Sequence, residues 1–96
     1  MREKALERKL VQAVKAVGGI APKFVSPGFD GMPDRLVLLP GGHMAFTEVK
    51  AMGCKTRPLQ ESRHGMLRRL GFRVFVLDNA GEIPSLVEAI RIGGDA

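Results

Sequence analysis

Three residues suited to acting on a phosphate lie close together in the chain. Asp34 follows Pro33 in "GMPDR", and Glu48 and Lys50 stand two apart in "FTEVK". Between them runs "RLVLLPGGHMA": an apolar run of strand length, a Pro-Gly-Gly turn, and the start of a second strand. That pattern predicts an antiparallel hairpin. Asp34 opens its first strand and Glu48 falls late in its second, so antiparallel pairing can bring the two carboxylates together. Close carboxylates repel and raise one another's pKa, and a hard divalent cation such as Mg²⁺, which takes oxygen ligands, removes that cost. Phe46, Glu48 and Lys50 share one face of the second strand, with Lys50 about 7 Å beyond Glu48 at ~3.3 Å per residue. Phosphodiester hydrolysis uses this set: a metal to polarise the phosphate and acidify water, and a cation to offset charge on the phosphoryl oxygens.

The elements that must position these residues are legible from periodicity. Leu6, Leu10, Ala13, Val14 and Val17 recur at helical spacing, and Gly18-Gly19 supplies a stop, which predicts a first helix over about residues 2 to 17. Glu3 and Glu7 lie four apart on the flank of its apolar stripe, so Glu7 can sit at the edge of the core. "IAPKFVSPGFDGMP" reads as a loop with a short extended piece at Lys23 to Val25. Pro58 suits the first turn of a second helix, whose apolar side is expected at Leu59, Met66, Leu67 and Leu70. "RVFVL" has the look of a buried strand, and a last helix starts near Pro84 with Leu86, Val87 and Ile90. The order is helix, hairpin, helix, strand, helix: an α/β sandwich with a mixed sheet, the crossover helix allowing the third strand to run parallel to the second.

Composition sets the outer bounds. With 96 residues and no internal repeat or linker, residues 1–96 read as one domain, and 45% hydrophobic content supports a core without help from a cofactor. Fifteen Lys and Arg against ten Asp and Glu, a formal net charge of +5, favour a polyanionic partner and nucleic acid first. The lone Cys54 excludes an internal disulfide and a multi-cysteine zinc site, and suits a reducing compartment. No stretch approaches the roughly 18 apolar residues of a membrane span, and no export signal is evident.

"GMPDR" followed by "FTEVK" resembles the PD-(D/E)xK nuclease signature. A glutamate in the first helix, "KF" and "SPG" before "GMPDR", "LPGG", and a glutamine after the "RP" step together resemble the VRR-NUC family in its compact stand-alone phage and bacterial form. The likeness spans about residues 3 to 78. It implies a restriction-endonuclease-like αβββαβ-type core, a mixed sheet flanked by helices. It also implies a site in which Asp34, Glu48, Glu7 and the Val49 main-chain carbonyl bind metal, Lys50 is the catalytic lysine, and Gln60 lies at the active site. Mg²⁺ or Mn²⁺ would be the cofactor. The implied substrate is DNA, branched forms such as four-way (Holliday) junctions included, cut by a homodimer in the cytoplasm of a bacterial or phage-infected cell. The apolar Ile83, Leu86, Val87 and Ile90 are the surface such subunits would share. Thr47 departs from the family, whose position there tends to be apolar or varied.

Other residues carry plainer readings. His43 and His64 are expected at the surface, although His64, four after Gln60, can face the same side as the site. Cys54 lacks a partner that would make it a nucleophile. Lys23, Lys55, Arg57, Arg63, Arg68 and Arg69 are expected to include phosphate contacts, and Asp30 is a candidate outer ligand. Two other classes compete with a nuclease. One is a nucleic-acid binding module that keeps the fold without catalysis, against which the intact Asp34, Glu48 and Lys50 argue. The other is a structural α/β subunit with a basic face for a protein partner, which no sequence feature supports.

Overall fold

The first helix, α1 (Glu3–Ala16), buries Leu6, Leu10 and Val14 along one stripe. It ends where the glycines require. Gly18 adopts φ +87°, its N–H donates to the Lys15 carbonyl, and the Gly19 N–H reaches back to Val14, which together form a Schellman stop. Val17, expected on the apolar stripe, is the exposed C-cap residue. The computed structural model describes residues 2–93, and the further elements are β1 (Arg35–Leu39), β2 (His43–Val49), α2 (Pro58–Arg69), β3 (Val74–Leu77), a single 3₁₀ turn at Ala80–Glu82 and α3 (Ile83–Ile92).

The sheet is mixed, in the order β1-β2-β3. β1 and β2 pair antiparallel with Arg35 opposite Thr47 and Leu36 opposite Phe46; β3 runs parallel to β2 with Glu48 beside Val76. The segment before β1 supplies most of a further strand. Ile20 and Leu38 exchange two hydrogen bonds of 3.0 and 2.9 Å, Leu36 N–H donates to Pro22, and Phe24 N–H donates to the Asp34 carbonyl at 2.8 Å. Pro22 has no N–H to return, so the pairing consists of two isolated bridges rather than a regular strand.

Alternation divides the sheet faces. Val37 and Leu39 of β1, Ala45 and Val49 of β2, and Leu77 of β3 pack with α1 and α3 into one apolar cluster. On the opposite face Phe46 stands edge-on between Phe24 and Phe72, with ring centroids 5.7 and 5.8 Å away, and Glu48 follows Phe46 two residues on. Ile83, Leu86, Val87 and Ile90 of α3 belong to the cluster, each at most 7% exposed, so they are not a surface shared between subunits. A sheet three strands wide needs a second helix on this face to close its core, and α3 is that helix. Arg73 fastens it there, donating to the Ala89 and Ile90 carbonyls near the end of α3 and to Met44 of β2.

Helix α2 departs from expectation. Leu59 and Leu70 are exposed, and the residues it buries are Gln60, His64 and Leu67. Its inward stripe is partly polar because it faces Glu48.

Thr47 is an oddity of the other face. It is fully buried, and its hydroxyl has no partner. Replacement by valine, which keeps the β-branched shape and removes the orphaned group, should raise stability by about 1 kcal/mol. A higher urea midpoint at unchanged slope is the expected result.

Candidate active site

One further step along the β1-β2 register from the Arg35–Thr47 pair sets Asp34 across from Glu48, and alternation puts both on the α2 face. Asp34 lies just before β1 and is tied at both ends. Its carbonyl accepts from Phe24, and its Oδ1 accepts from the Val49 N–H at 3.2 Å. Val49, whose carbonyl the family resemblance implies as a ligand, thus anchors Asp34 through its own N–H. The preceding loop is held against α2. Gly31, at φ +86°, passes so close that a Cβ there would come within 2.8 Å of Leu59 Cγ. Arg63 donates to the Asp30 carbonyl at 2.8 Å and lies over the Phe29 ring.

Glu48 is 3% exposed. Its Oε2 accepts from Gln60 Nε2 at 3.2 Å and lies 3.8 Å from Lys50 Nζ; its Oε1, also buried, has no hydrogen-bond partner. Gln60 serves two elements at once. Its Oε1 accepts from the Arg57 N–H at 2.9 Å, satisfying a free donor at the start of α2, while its amide nitrogen holds Glu48. The spacing from Pro58 to Gln60 therefore fixes the helix end and the carboxylate together.

Both carboxyls titrate high. Burial, with the charges of Glu7 and Glu3 adding, raises Asp34 to about 6 against the bond from Val49. Burial and the neighbouring Asp34 raise Glu48 to about 7 against the cations Lys50 and Arg57. A buried and a half-buried carboxylate short of positive charge, the buried one with an oxygen lacking a donor, form a donor set that suits a hard divalent cation. Among the described residues no three His, Cys, Asp or Glu side chains converge as a metal cluster. Asp34 and Glu48 are therefore the side chains that would hold such an ion. A main-chain carbonyl such as that of Val49, water and substrate oxygens would complete its shell, as Mg²⁺ commonly requires.

Glu7 is occupied elsewhere. Its carboxylate pairs with Arg35 at 3.1 Å, because alternation turns Arg35 toward α1 while Asp34 faces α2. Glu7 and Arg35 line an open basic groove of about 460 Å³ with Lys4, Arg8, Val11 and Lys23. The charge of Glu3 acts on both Asp34 and Glu48, and that of Glu7 on Asp34. Glu3 was visible as the residue one turn before Glu7, but the sequence offered no means of ranking the two.

Several expectations change. His64 is not a surface residue: it is fully buried, with Nε2 3.7 Å from Glu48 Oε1, while His43 is half-buried beside the hairpin turn. Its position one helical turn from Gln60 was the available signal. Arg63 and Arg68 are committed to carbonyls of Asp30 and Val74, which leaves Lys23 and Arg57 better placed for a substrate. Asp30 lines a cleft of about 410 Å³ with Gly31, Arg57, Pro58, Leu59 and Gln60. Cys54 is exposed and free.

Comparison with known proteins follows this geometry. No family model matches the chain. It is 48% identical over 91 residues to "Putative nuclease p44" of Acyrthosiphon pisum secondary endosymbiont phage 1, covering 95% of this chain and 97% of that protein. A solved structure described as "VRR_NUC domain" superposes with a TM-score of 0.85 at 32% identity, over 92% of this chain and 96% of the other. A second, "VRR_NUC domain protein", shares the fold at 17% identity and a TM-score of 0.76, over 99% of this chain and 92% of the other. A phage relative at nearly half identity and a near-complete structural match at 32%, both spanning the Asp34, Glu48 and Lys50 constellation, place the chain in the VRR-NUC nuclease family.

Proposed function

We propose that the chain is a Mg²⁺- or Mn²⁺-dependent DNA endonuclease that hydrolyses phosphodiester bonds. The observation that carries this reading is Asp34 facing Glu48 across the first hairpin, both titrating well above ordinary carboxylates, with Lys50 3.8 Å from Glu48. A divalent cation bound there would neutralise the two carboxylates and polarise a phosphate oxygen and a water. Lys50, at the mouth of the site, offsets charge that gathers on the phosphoryl oxygens as the bond breaks. Gln60 keeps Glu48 oriented and leaves it lone pairs to spare. Glu7, paired with Arg35, is read as an outer carboxylate able to join the site when substrate phosphate draws Arg35 away. Lys4, Arg8 and Lys23 line the groove along which the phosphate backbone would run.

Branched DNA, four-way junctions included, is the proposed preferred substrate, cut by a homodimer. One domain offers one site and breaks one strand per visit, whereas a junction is resolved by two cuts of opposite polarity, which a twofold dimer provides. The α3 face is committed to the core, so the shared surface is placed along Leu70, Phe72 and Val76. These are exposed apolar residues at the end of α2 and on β3, the edge strand of the sheet. The phage relative supports a setting in the cytoplasm of a bacterial or infected cell, and no described helix is long and apolar enough to cross a membrane.

Replacing Glu48 or Lys50 by alanine should lower cleavage on the order of 100-fold or more while the fold persists, since each acts on charge and contributes little apolar area. Calorimetric titration should show Mn²⁺ binding weakened in Glu48→Ala and retained in Lys50→Ala. Wild-type cleavage by Lys50→Ala would remove that residue from the mechanism.

The raised carboxyl pKa values predict how stability depends on pH. A carboxyl whose folded pKa lies above its unfolded value stabilises the metal-free protein most at low pH. That contribution is lost as pH rises from about 4 through about 6 for Asp34 and about 7 for Glu48. Mg²⁺ should therefore raise the melting temperature at pH 8 and have little effect at pH 5. An equal rise at both would contradict ligation by these groups.

Light scattering should report a dimer, reduced to monomer by Val76→Lys. Paired nicks should map to opposed strands of an immobile junction, with affinity falling as salt rises. A monomer that nicks linear and branched DNA equally well is the contrary result.

A further inference from the structure

His64 is the one fully buried imidazole among the described residues. Neither ring nitrogen has a hydrogen-bond partner. Buried polar groups almost always find a partner, so an unsatisfied pair of ring nitrogens calls for a reason. Packing alone does not supply one, since an apolar ring would fill the space without desolvating two nitrogens.

The reason lies 3.7 Å away. Glu48 Oε1, the carboxylate oxygen without a donor, is the acidic atom paired with His64 Nε2. The other oxygen is already supplied by Gln60 and neighboured by Lys50. Gln60 and His64 are four apart on α2 and therefore present to the same side, so one helix face offers a donor to each oxygen of one carboxylate. A side-chain shift of under about 1 Å brings the second contact into hydrogen-bond range. Each carboxylate oxygen has two lone pairs, so both can accept a donor and still face a cation.

We propose that His64 positions Glu48 for metal binding, donating from Nε2 to Oε1 and fixing the carboxylate plane from the side opposite Gln60. His64 is a positioning residue and touches neither substrate nor metal. The cost is an unsatisfied ring whenever the contact is open, so stability and metal affinity are set against each other at this position.

The inference rests on the metal-dependent reading above, and the experiment separates their failures. Mn²⁺ binding is titrated calorimetrically into the whole protein as wild type, His64→Phe and His64→Gln, and each is melted without metal. His64→Phe should bind Mn²⁺ tenfold or more weakly, in line with losses of about 10- to 100-fold for outer-shell donors, yet melt at or above the wild-type temperature. His64→Gln, which keeps a donor, should bind within about threefold of wild type on the same scale. A residue that merely packs would lower melting and leave affinity unchanged, so equal Mn²⁺ affinity in wild type and His64→Phe overturns the proposal alone. Wild type that binds no Mn²⁺ removes the metal-dependent reading and this role with it. Should His64→Phe fail to fold, ¹⁵N spectra of the wild-type imidazole in Mg²⁺ decide: a proton on Nε2 is expected, and an Nε2 without a proton overturns the assignment.

Discussion

A carboxylate taken out of water must be answered by donors or by positive charge, and Glu48 is nearly sealed from solvent with only part of that answer in place. Much of the α2 side of the molecule follows from this. Gln60 gives its amide to Glu48 and so cannot be apolar; His64 occupies the next turn; Lys50 lies along the same strand face. The helix that covers this face therefore buries polar atoms where a helix serving stability alone would bury leucines, and its own leucines at 59 and 70 turn outward.

The opposite face carries the stability. Leu6, Leu10 and Val14 of α1 and four apolar residues of α3 close over β1, β2 and β3 in one cluster. This division lets the α2 face remain under-satisfied, because an apolar face on the other side of the same strands fixes their register. A slip of one residue between β1 and β2 would part Asp34 from Glu48 and also turn Val37 and Leu39 out of the core. Packing thus protects the geometry of the carboxylates without touching them.

Charge shapes the rim of the site as well. Arg35 follows Asp34 directly but points to the other face, where it takes up Glu7, so adjacent residues of opposite sign serve opposite sides of the sheet. Arg63 and Arg68 are candidate phosphate contacts by sequence, yet each donates to a backbone carbonyl, as Arg73 does, and acts as a tether. Lys4, Arg8 and Lys23 line the open groove beside the Glu7–Arg35 pair.

Local patterns determined much by themselves. The helix stop at Gly18-Gly19, the hairpin around the Pro-Gly-Gly turn and the shared face of Glu48 and Lys50 all follow from backbone rules that act within a few residues. The pairing of Asp34 with Glu48 was legible because a short hairpin leaves few registers. Other features depended on which elements meet. Whether Ile83, Leu86, Val87 and Ile90 cover the sheet or a partner subunit, whether His64 is wet or buried, and whether Glu7 turns to Arg35 or to the site are set by contacts between residues far apart in the chain. An amphipathic pattern states that a face will be covered; only the tertiary packing decides what covers it, because burial is a property of the assembled surfaces and not of either one alone.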